Sequence, residues 1–307
     1  MNTFPTPHLD KLTALLQNDK VPAVDRPAVE RVTEHYKRWI HALESVKAKD
    51  EERLREMVQL LNDYRTTLDI ELIFDSEEDF LYRQKGQLKL DNSVIEEFLP
   101  RLIDPQLIPE LRPLDVSVGP TTAFLSVYFA SSLNALGPGG MLSIRAKDQD
   151  FAISKKLYVQ SSYTKDFKGE GSEVHETYLA YIAAECKTNL DKTMFQEACA
   201  TARDTKLAVP GARYFLLCEW LDMTPVSSAT TPIDEVIILR MARRLGSGIR
   251  QNYSDAAKRK RARAEYIEFL NANPFRPEMF ARFIGHIRAL VCDKPPEEQV
   301  VLKQGYF

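Results

Sequence analysis

The chain has 307 residues, a length that can bury a substantial core in one large domain or in two to three small ones. Charged residues make up 28% and hydrophobic residues 44%, with a formal net charge of −3, which describes a globular protein rather than a disordered or fibrous one. The small negative charge excludes a general basic coat for nucleic acid, so any such surface must be local.

The amino terminus and the cysteines indicate where the protein acts. The opening MNTFPTPHLDKL lacks the features of a secretory signal, and no apolar run approaches the roughly 20 residues of a membrane span. Cys186, Cys199, Cys218 and Cys292 stand far apart, without the spacing of a zinc site or a disulfide framework. We therefore expect reduced thiols in a cytoplasmic protein with no membrane partner.

The first third of the chain has the apolar period of helices. Apolar residues recur at helical spacing from Val29 to Val46 and again from Leu54 to Tyr64. The charged stretch between them, residues 47–53, is either a solvated face or a break between two helices. One more helix is predicted over Ser93 to Ile103.

The pattern changes after Pro113. Thr121 to Leu136 is largely apolar and of helical length, so a helix is predicted there, and another over Thr193 to Arg203. Strands are predicted at Met141 to Arg145, Phe151 to Gln160, Tyr178 to Lys187, Arg213 to Trp220 and Glu235 to Arg240. From Met241 onward the chain is again predicted as helical. This order indicates an α/β fold with a mixed central sheet flanked by helices.

The strand Tyr178 to Lys187 becomes charged at its carboxyl end. Residues two apart on a strand share one face, about 7 Å apart along it. One face carries apolar side chains, and the other carries Ala183, Glu185 and Lys187. Such a pair is either a surface ion pair of little energetic value or part of a site held by a rigid strand.

A second carboxylate favours the site. Asp150 begins the preceding strand, and pairing of the two strands would bring it towards Glu185. Two converging carboxylates repel each other unless a cation lies between them, and magnesium is the usual occupant of such an oxygen-lined site. Lys187 would then act as a point charge on an attacking water or a phosphate.

These residues resemble the PD-(D/E)XK nuclease superfamily. The stretches KDQDFAISKKLYV and AECKTNLDKTMFQEACATARD are similar to type II restriction endonucleases grouped with a heterodimeric Bacillus enzyme that cuts an asymmetric DNA site. The resemblance covers roughly Tyr82 to Arg240. It implies a restriction-endonuclease-like core and magnesium-dependent hydrolysis of double-stranded DNA. Double-strand cleavage would require a homodimer or a related partner subunit.

The resemblance also implies roles for single residues. Asp150 and Glu185 would be magnesium ligands, with the backbone carbonyl of Cys186 as a third, and Lys187 would be the catalytic lysine. Asp148 lies on the same side of its strand as Asp150 and is an alternative ligand. The segment between the two strands, Ser161 to Glu176, is too long for a simple hairpin and is expected to fold out as an insertion.

The turn and helix after the catalytic strand offer further candidates. Gln196 could orient the water or contact a phosphate, or it could close a capping box that begins at Thr193. Lys192 and Asn189 would face the scissile phosphate, or would be ordinary polar residues of the turn.

Two basic segments are candidate DNA contacts. Residues 236–263 contain nine Lys or Arg and one acid, Asp255, so nine minus one gives a formal +8. The DNA contacts predicted within this segment are Arg240, Arg243, Arg244, Arg250, Lys258 and Arg259. Lys192, outside the segment, is predicted as one more DNA contact. Tyr82 to Gln87 is a second patch, with side chains that can read base edges.

The predicted organisation has three parts. Residues 1–118 form a helical region with a possible role in DNA recognition, residues 119–240 the catalytic core, and residues 241–307 a basic helical region. The predicted function is a type II restriction endonuclease. Its rivals are a related nuclease for repair or branched DNA, and a DNA-binding protein without catalysis.

Overall fold

The structure is a computed structural model that describes residues 4–112, 114–135, 137–167, 171–293 and 296–306. Within these ranges no helix is both long enough and apolar enough to cross a membrane. All four cysteines are free.

Helices form the amino-terminal region, as predicted. Their bounds are α1 Pro7–Leu16, α2 Arg26–Ser45, α3 Asp50–Thr67, a π-helix Leu68–Phe74, α4 Phe80–Gln84 and α5 Asn92–Leu102. The charged stretch 47–53 contains a break between α2 and α3, so the two-helix alternative is the observed one. The first turn of α3 carries three acidic residues, which favours a helix amino terminus there.

The remaining elements form a sheet and its covering helices. In chain order they are β1 Ser117–Tyr128, β2 Ser143–Ser162, β3 Ser172–Leu190, α6 Lys192–Ala208, β4 Arg213–Leu221, β5 Glu235–Arg243, α7 Ser247–Asn252, α8 Ala256–Ala272, α9 Pro277–Cys292 and α10 Glu298–Gln304. The five strands lie in the order β1-β2-β3-β4-β5. β2 runs antiparallel to both β1 and β3, whereas β3, β4 and β5 run parallel to one another. The predicted mixed sheet flanked by helices is confirmed.

The helix predicted over Thr121 to Leu136 is wrong. Ser117–Tyr128 is instead a strand that pairs along β2. Its buried side chains, Ala123 and Leu125, alternate with more exposed neighbours, which is the two-residue period of a strand. Pairing with β2 decides the conformation, because the apolar run is compatible with either element. Leu136 itself lies outside the described residues.

The segment predicted as an insertion is also different in the structure. β2 and β3 remain paired from Phe151↔Ala184 outward to Ser162↔Ser172, so they form one long antiparallel hairpin. The strand predicted at Met141 to Arg145 overlaps the start of β2, which begins at Ser143, and the strand predicted at Phe151 to Gln160 lies within the same β2. The outer part of the hairpin carries mostly polar side chains and is solvated on both faces. β2 was predicted as a strand as far as Gln160, but residues 172–177 of β3 lack the hydrophobic alternation by which a strand is identified in a sequence.

One hydrophobic cluster joins the three predicted regions. It contains side chains of the amino-terminal helices, the faces of β2, β3, β4 and β5 that point to them, and α9 near the carboxyl end. A second cluster packs α6 against the other face of the sheet. The sheet is thus covered on both faces, and the charged end of β3 lies where the two layers meet the solvent.

A buried polar network fixes the amino-terminal helices. His8 contacts the hydroxyls of Ser93 and Tyr64 at 2.8 and 2.6 Å, and its backbone N–H donates to Glu97 at 2.8 Å. Tyr36 donates to the other oxygen of Glu97. Burial, with Arg65 nearby, lowers the pKa of His8 to about 3, so its ring is neutral in the folded protein.

We expect His8 to make the protein less stable as the pH falls from 6.5 towards 3. In this window the unfolded chain binds a proton at His8 that the folded chain does not bind, so the free energy of unfolding falls by about 1.4 kcal/mol per pH unit from this group alone. Burial raises the pKa of Glu97, which has the opposite sign and partly offsets the loss.

Urea denaturation of the parent and of His8→Gln at pH 7, 6 and 5 measures this effect. The variant should be less stable at pH 7 but should lose less stability on acidification. His41→Gln, at an exposed position, is the matched control. Parallel stability profiles for the parent and His8→Gln would contradict the prediction.

Candidate active site

Two neighbouring strands bring the predicted acidic residues together. The register of β2 and β3 pairs Phe151 with Ala184, so Asp150 and Glu185 are the next residues beyond that pair. The strands separate at this point, and the N–H of Cys186 donates to Oδ2 of Asp150 over 2.9 Å. Asp150 therefore lies beside the Glu185-Cys186 segment.

Glu185 and Lys187 point to one face of β3 and form an ion pair. Nζ of Lys187 lies 2.7 Å from Oε1 of Glu185. The hydroxyl of Tyr214, on β4, donates to the other oxygen, Oε2, over 3.1 Å. Both side chains are partly exposed, at 27% for Lys187 and 17% for Glu185. The pair is thus held by the sheet and remains accessible to a ligand.

The protonation states follow from burial and from these neighbours. Burial raises the pKa of Asp150, while the Cys186 N–H and two lysines act against that rise. Burial lowers the pKa of Lys187, but the hydrogen bond and charge of Glu185 outweigh it, and the pKa lies above its ordinary value. Lys187 is therefore a positively charged ammonium at neutral pH and cannot act as a base.

Two residues that the sequence analysis missed also lie at Asp150. Nζ of Lys89 is 3.9 Å from Oδ1 of Asp150 and 3.8 Å from Oε1 of Glu96. Burial raises the pKa of Glu96, the charge of Asp150 adds to that rise, and Lys89 acts against it. The one signal in the sequence was the acidic pair Glu96-Glu97 inside an otherwise apolar helix. Lys89 had none, because it is 61 positions from Asp150 in the chain.

The alternatives left open by the sequence have different positions. Asp148 is exposed and accepts a hydrogen bond from Thr122, on β1, over 2.6 Å, without a contact to Glu185. Gln196 is exposed on α6. The capping-box interpretation is wrong, because Asp191 caps this helix by accepting from the N–H of Met194 over 2.9 Å.

A cleft of about 580 Å³ opens beside Lys187. Its basic lining comes from distant parts of the chain and comprises Arg65, Arg83, Lys85, Lys89, Lys187, Arg244 and Arg250. The patch Tyr82 to Gln87 and part of the segment 236–263 therefore meet at one cleft. Asn189 also lines it, and Lys192 is exposed at the start of α6.

Asp222 holds two of these cations at the cleft. It lies 2.9 Å from Nη1 of Arg244 and 3.7 Å from Nη2 of Arg250. Arg243 and Lys258 are exposed, and Arg243 donates to the backbone carbonyl of Met223 over 3.1 Å.

Two predicted DNA contacts are buried, which corrects the sequence analysis. Arg240, at 4% exposure, contacts Glu219 at 3.3 Å and the carbonyl of Asn273 at 2.8 Å. Arg259 is fully buried, and its guanidinium donates to backbone carbonyls of residues 74, 76, 78 and 253. Both arginines are satisfied within the fold and present no surface to DNA.

The donor atoms at Asp150 suit a hard divalent cation. Within the described ranges no group of three or more His, Cys, Asp or Glu side chains is arranged to hold a metal ion. The donor set predicted from the sequence is of another kind, two carboxylates and a backbone carbonyl, and it consists only of oxygens, which magnesium prefers. Burial raises the pKa of the Cys186 thiol well above its usual value, so the thiol is neutral and a poor ligand.

The backbone of Cys186 is oriented as the predicted donor set requires. N–H and C=O of one strand residue point to the same side. Since the Cys186 N–H reaches Asp150, the carbonyl of the same residue faces that edge as well.

The mixed sheet and the acid-x-lysine strand define a nuclease of the PD-(D/E)XK class. A solved structure described as the native BbvCI A2B2 tetramer at low resolution has a similar fold, with 21% sequence identity and a TM-score of 0.57. The likeness covers 86% of this chain and 96% of that chain. No curated protein matches the chain in sequence.

A family model described as Bpu10I restriction endonuclease matches residues 87–307, which is more than half of the chain. The chain belongs to this family of restriction endonucleases. The predicted class, a type II restriction endonuclease that hydrolyses DNA, is thereby confirmed. The matched range includes Asp150, Glu185 and Lys187.

Proposed function

We propose that this chain is a magnesium-dependent endonuclease subunit that cuts one strand of a specific double-stranded sequence at Asp150, Glu185 and Lys187. The observation that carries the proposal is that Lys187 lines a basic cleft while its ammonium contacts Glu185, with Asp150 held beside the same segment of β3. The cations of the cleft can bind the negatively charged phosphates of DNA. Asp150, Glu185 and Lys187 are the groups at which a bound phosphodiester would be cleaved.

Each residue has a separate task in this proposal. Asp150, Glu185 and the Cys186 carbonyl would hold the ion, which when bound supplies a Lewis acid for the phosphate and the attacking water. Lys187, as an ammonium, neutralises charge that develops on the phosphate oxygens during attack. Tyr214 keeps Glu185 oriented through its hydroxyl. Gln196 stays a candidate for contact with water or phosphate from the first turns of α6.

DNA binding is assigned to the accessible cations. Lys85, Arg244 and Arg250 line the cleft, and Lys192, Arg243 and Lys258 lie exposed outside it. Such phosphate contacts position the duplex, whereas reading of the sequence requires contacts to base edges. We assign part of that reading to the amino-terminal helical region 1–118, which supplies the Tyr82 to Gln87 wall of the cleft.

A second subunit is part of the proposal. One site cuts one strand, so cleavage of both strands requires a second copy of this chain or a related partner. The A2B2 assembly named for the BbvCI structure favours a related partner. We propose that this chain forms one half of such a pair.

Incubation of the purified chain with circular plasmid DNA and magnesium tests the function. End mapping should find breaks at one defined sequence, and chelation of the metal with EDTA should prevent them. Nicked circles would indicate that this chain needs a related partner, whereas linear products would indicate a homodimer. Breaks scattered over all sequences, or cleavage unaffected by EDTA, would refute the proposal.

A further inference from the structure

Lys89 has an unusual backbone conformation directly before α5. Its φ is +51°, in the left-handed region that side chains rarely adopt. The turn holds it there: its N–H donates to the carbonyl of Gly86 over 3.2 Å, and its own carbonyl accepts from the N–H and hydroxyl of Ser93. An unfavourable conformation that the surrounding structure imposes is often found at functional positions.

The conformation directs the side chain to the acidic edge of the site. The two oxygens of Asp150 have different neighbours, because Oδ2 accepts the Cys186 N–H and Oδ1 faces Lys89. Nζ of Lys89 is nearly equidistant from Oδ1 of Asp150 and Oε1 of Glu96, at 3.9 and 3.8 Å. Oε1 of Glu96 also accepts from Asn92 over 2.7 Å. The ammonium thus lies within ion-pairing distance of both carboxylates.

The two lysines of the site differ in how firmly they are held. Lys187 makes a direct contact of 2.7 Å with Glu185. Lys89 keeps a longer distance from both of its acids, its side chain is 49% exposed, and it lines the cleft. A flexible four-carbon stem allows this ammonium to leave Asp150 and reach a ligand in the cleft.

We infer that Lys89 is an exchangeable counter-cation of Asp150. It neutralises Asp150 and Glu96 in the metal-free protein, leaves Oδ1 when a divalent cation binds, and then contacts a DNA phosphate in the cleft. The inference rests on the proposed role of Asp150 as a metal ligand. It makes metal binding and DNA binding favour each other, because each ligand takes one partner of the same ion pair.

Calcium binding, measured by isothermal titration calorimetry on the full chain without DNA, tests the exchange. Lys89→Met should bind calcium about three- to tenfold more tightly than the parent, because the competing ammonium is gone. Lys89→Gly removes the same charge and suits a positive φ, so it should give the same shift. Lys85→Met, at another lysine of the cleft wall, should change the affinity less than about twofold.

Duplex DNA binding with calcium present is the second measurement. Lys89→Met should bind DNA more weakly than the parent, and the slope of log K against log salt should fall by about 1. Lys85→Met removes a cation from the same cleft but should leave the calcium affinity unchanged. Of these two lysines, only Lys89 should therefore weaken DNA binding and strengthen calcium binding together when it is replaced.

Asp150→Asn separates the two ways in which these experiments can fail. If this variant no longer binds calcium while both Lys89 variants bind it like the parent, the exchange is wrong and the proposed metal site stands. If Asp150→Asn binds calcium like the parent, the metal site itself is misplaced. Unchanged DNA affinity in the Lys89 variants would overturn the second half of the exchange.

Discussion

Lys187→Ala is expected to lower the rate of DNA cleavage by about 10³-fold while DNA binding changes little. Lys187 is the cation that contacts Glu185, and its raised pKa keeps it charged at neutral pH. Its charge is most useful when the phosphate gains negative charge in the transition state, so its loss affects the rate more than the ground-state affinity. Many other cations of the cleft remain to bind the duplex.

Single-turnover cleavage and fluorescence anisotropy with the same duplex measure the two effects separately. Lys155→Ala is a matched control, since Lys155 lies on the neighbouring strand β2 and forms an ion pair with the highly exposed Asp115. It should cleave within about twofold of the parent. A Lys187→Ala protein that is folded and cuts at the parental rate would show that the catalytic lysine lies elsewhere.

The catalytic strand could be predicted because its pattern is local. In a strand of two-residue period, Glu185 and Lys187 must share a face, and this follows from the sequence alone. The neighbourhood of Asp150 is different. Lys89, in the turn before α5, lies near Asp150 and near Glu96 of α5, through packing of a helix on the sheet, and no spacing in the sequence records that arrangement.

Errors in the fold have a similar origin. An apolar run such as that at Ser117–Tyr128 fits a helix or a strand, and its pairing with β2 decides between them. Residues 172–177 at the outer end of β3 were missed for the opposite reason, because this stretch carries mainly polar side chains. In each case the local composition does not decide between helix, strand and loop, and long-range backbone pairing determines the conformation.

The basic segment 236–263 shows the limit of charge counting. Charged side chains are mostly exposed, so nine cations with one acid read as a DNA surface. The structure divides them: Arg244 and Arg250 line the cleft, whereas Arg240 and Arg259 are buried. Arg240 neutralises Glu219 beside Arg65, and Arg259 replaces missing backbone partners for the segment that follows the π-helix. A variant of this segment can therefore lose DNA binding in two ways, either because a DNA contact is removed or because the protein unfolds.

Arg259→Ala should lower the free energy of unfolding by about 3–5 kcal/mol, because several buried carbonyls lose their donor at once. The guanidinium also contacts Asp79 at 3.1 Å, and a lysine cannot reproduce that fork, so Arg259→Lys should recover only part of the loss. Urea denaturation measures the change, with the exposed neighbour Lys260→Ala expected within about 0.5 kcal/mol of the parent. Arg250→Ala, at a residue that lines the cleft, should keep near-parental stability but should bind DNA more weakly and with a smaller salt dependence. If Arg259→Ala kept parental stability and lost DNA affinity in a salt-dependent manner, Arg259 would be a DNA contact after all.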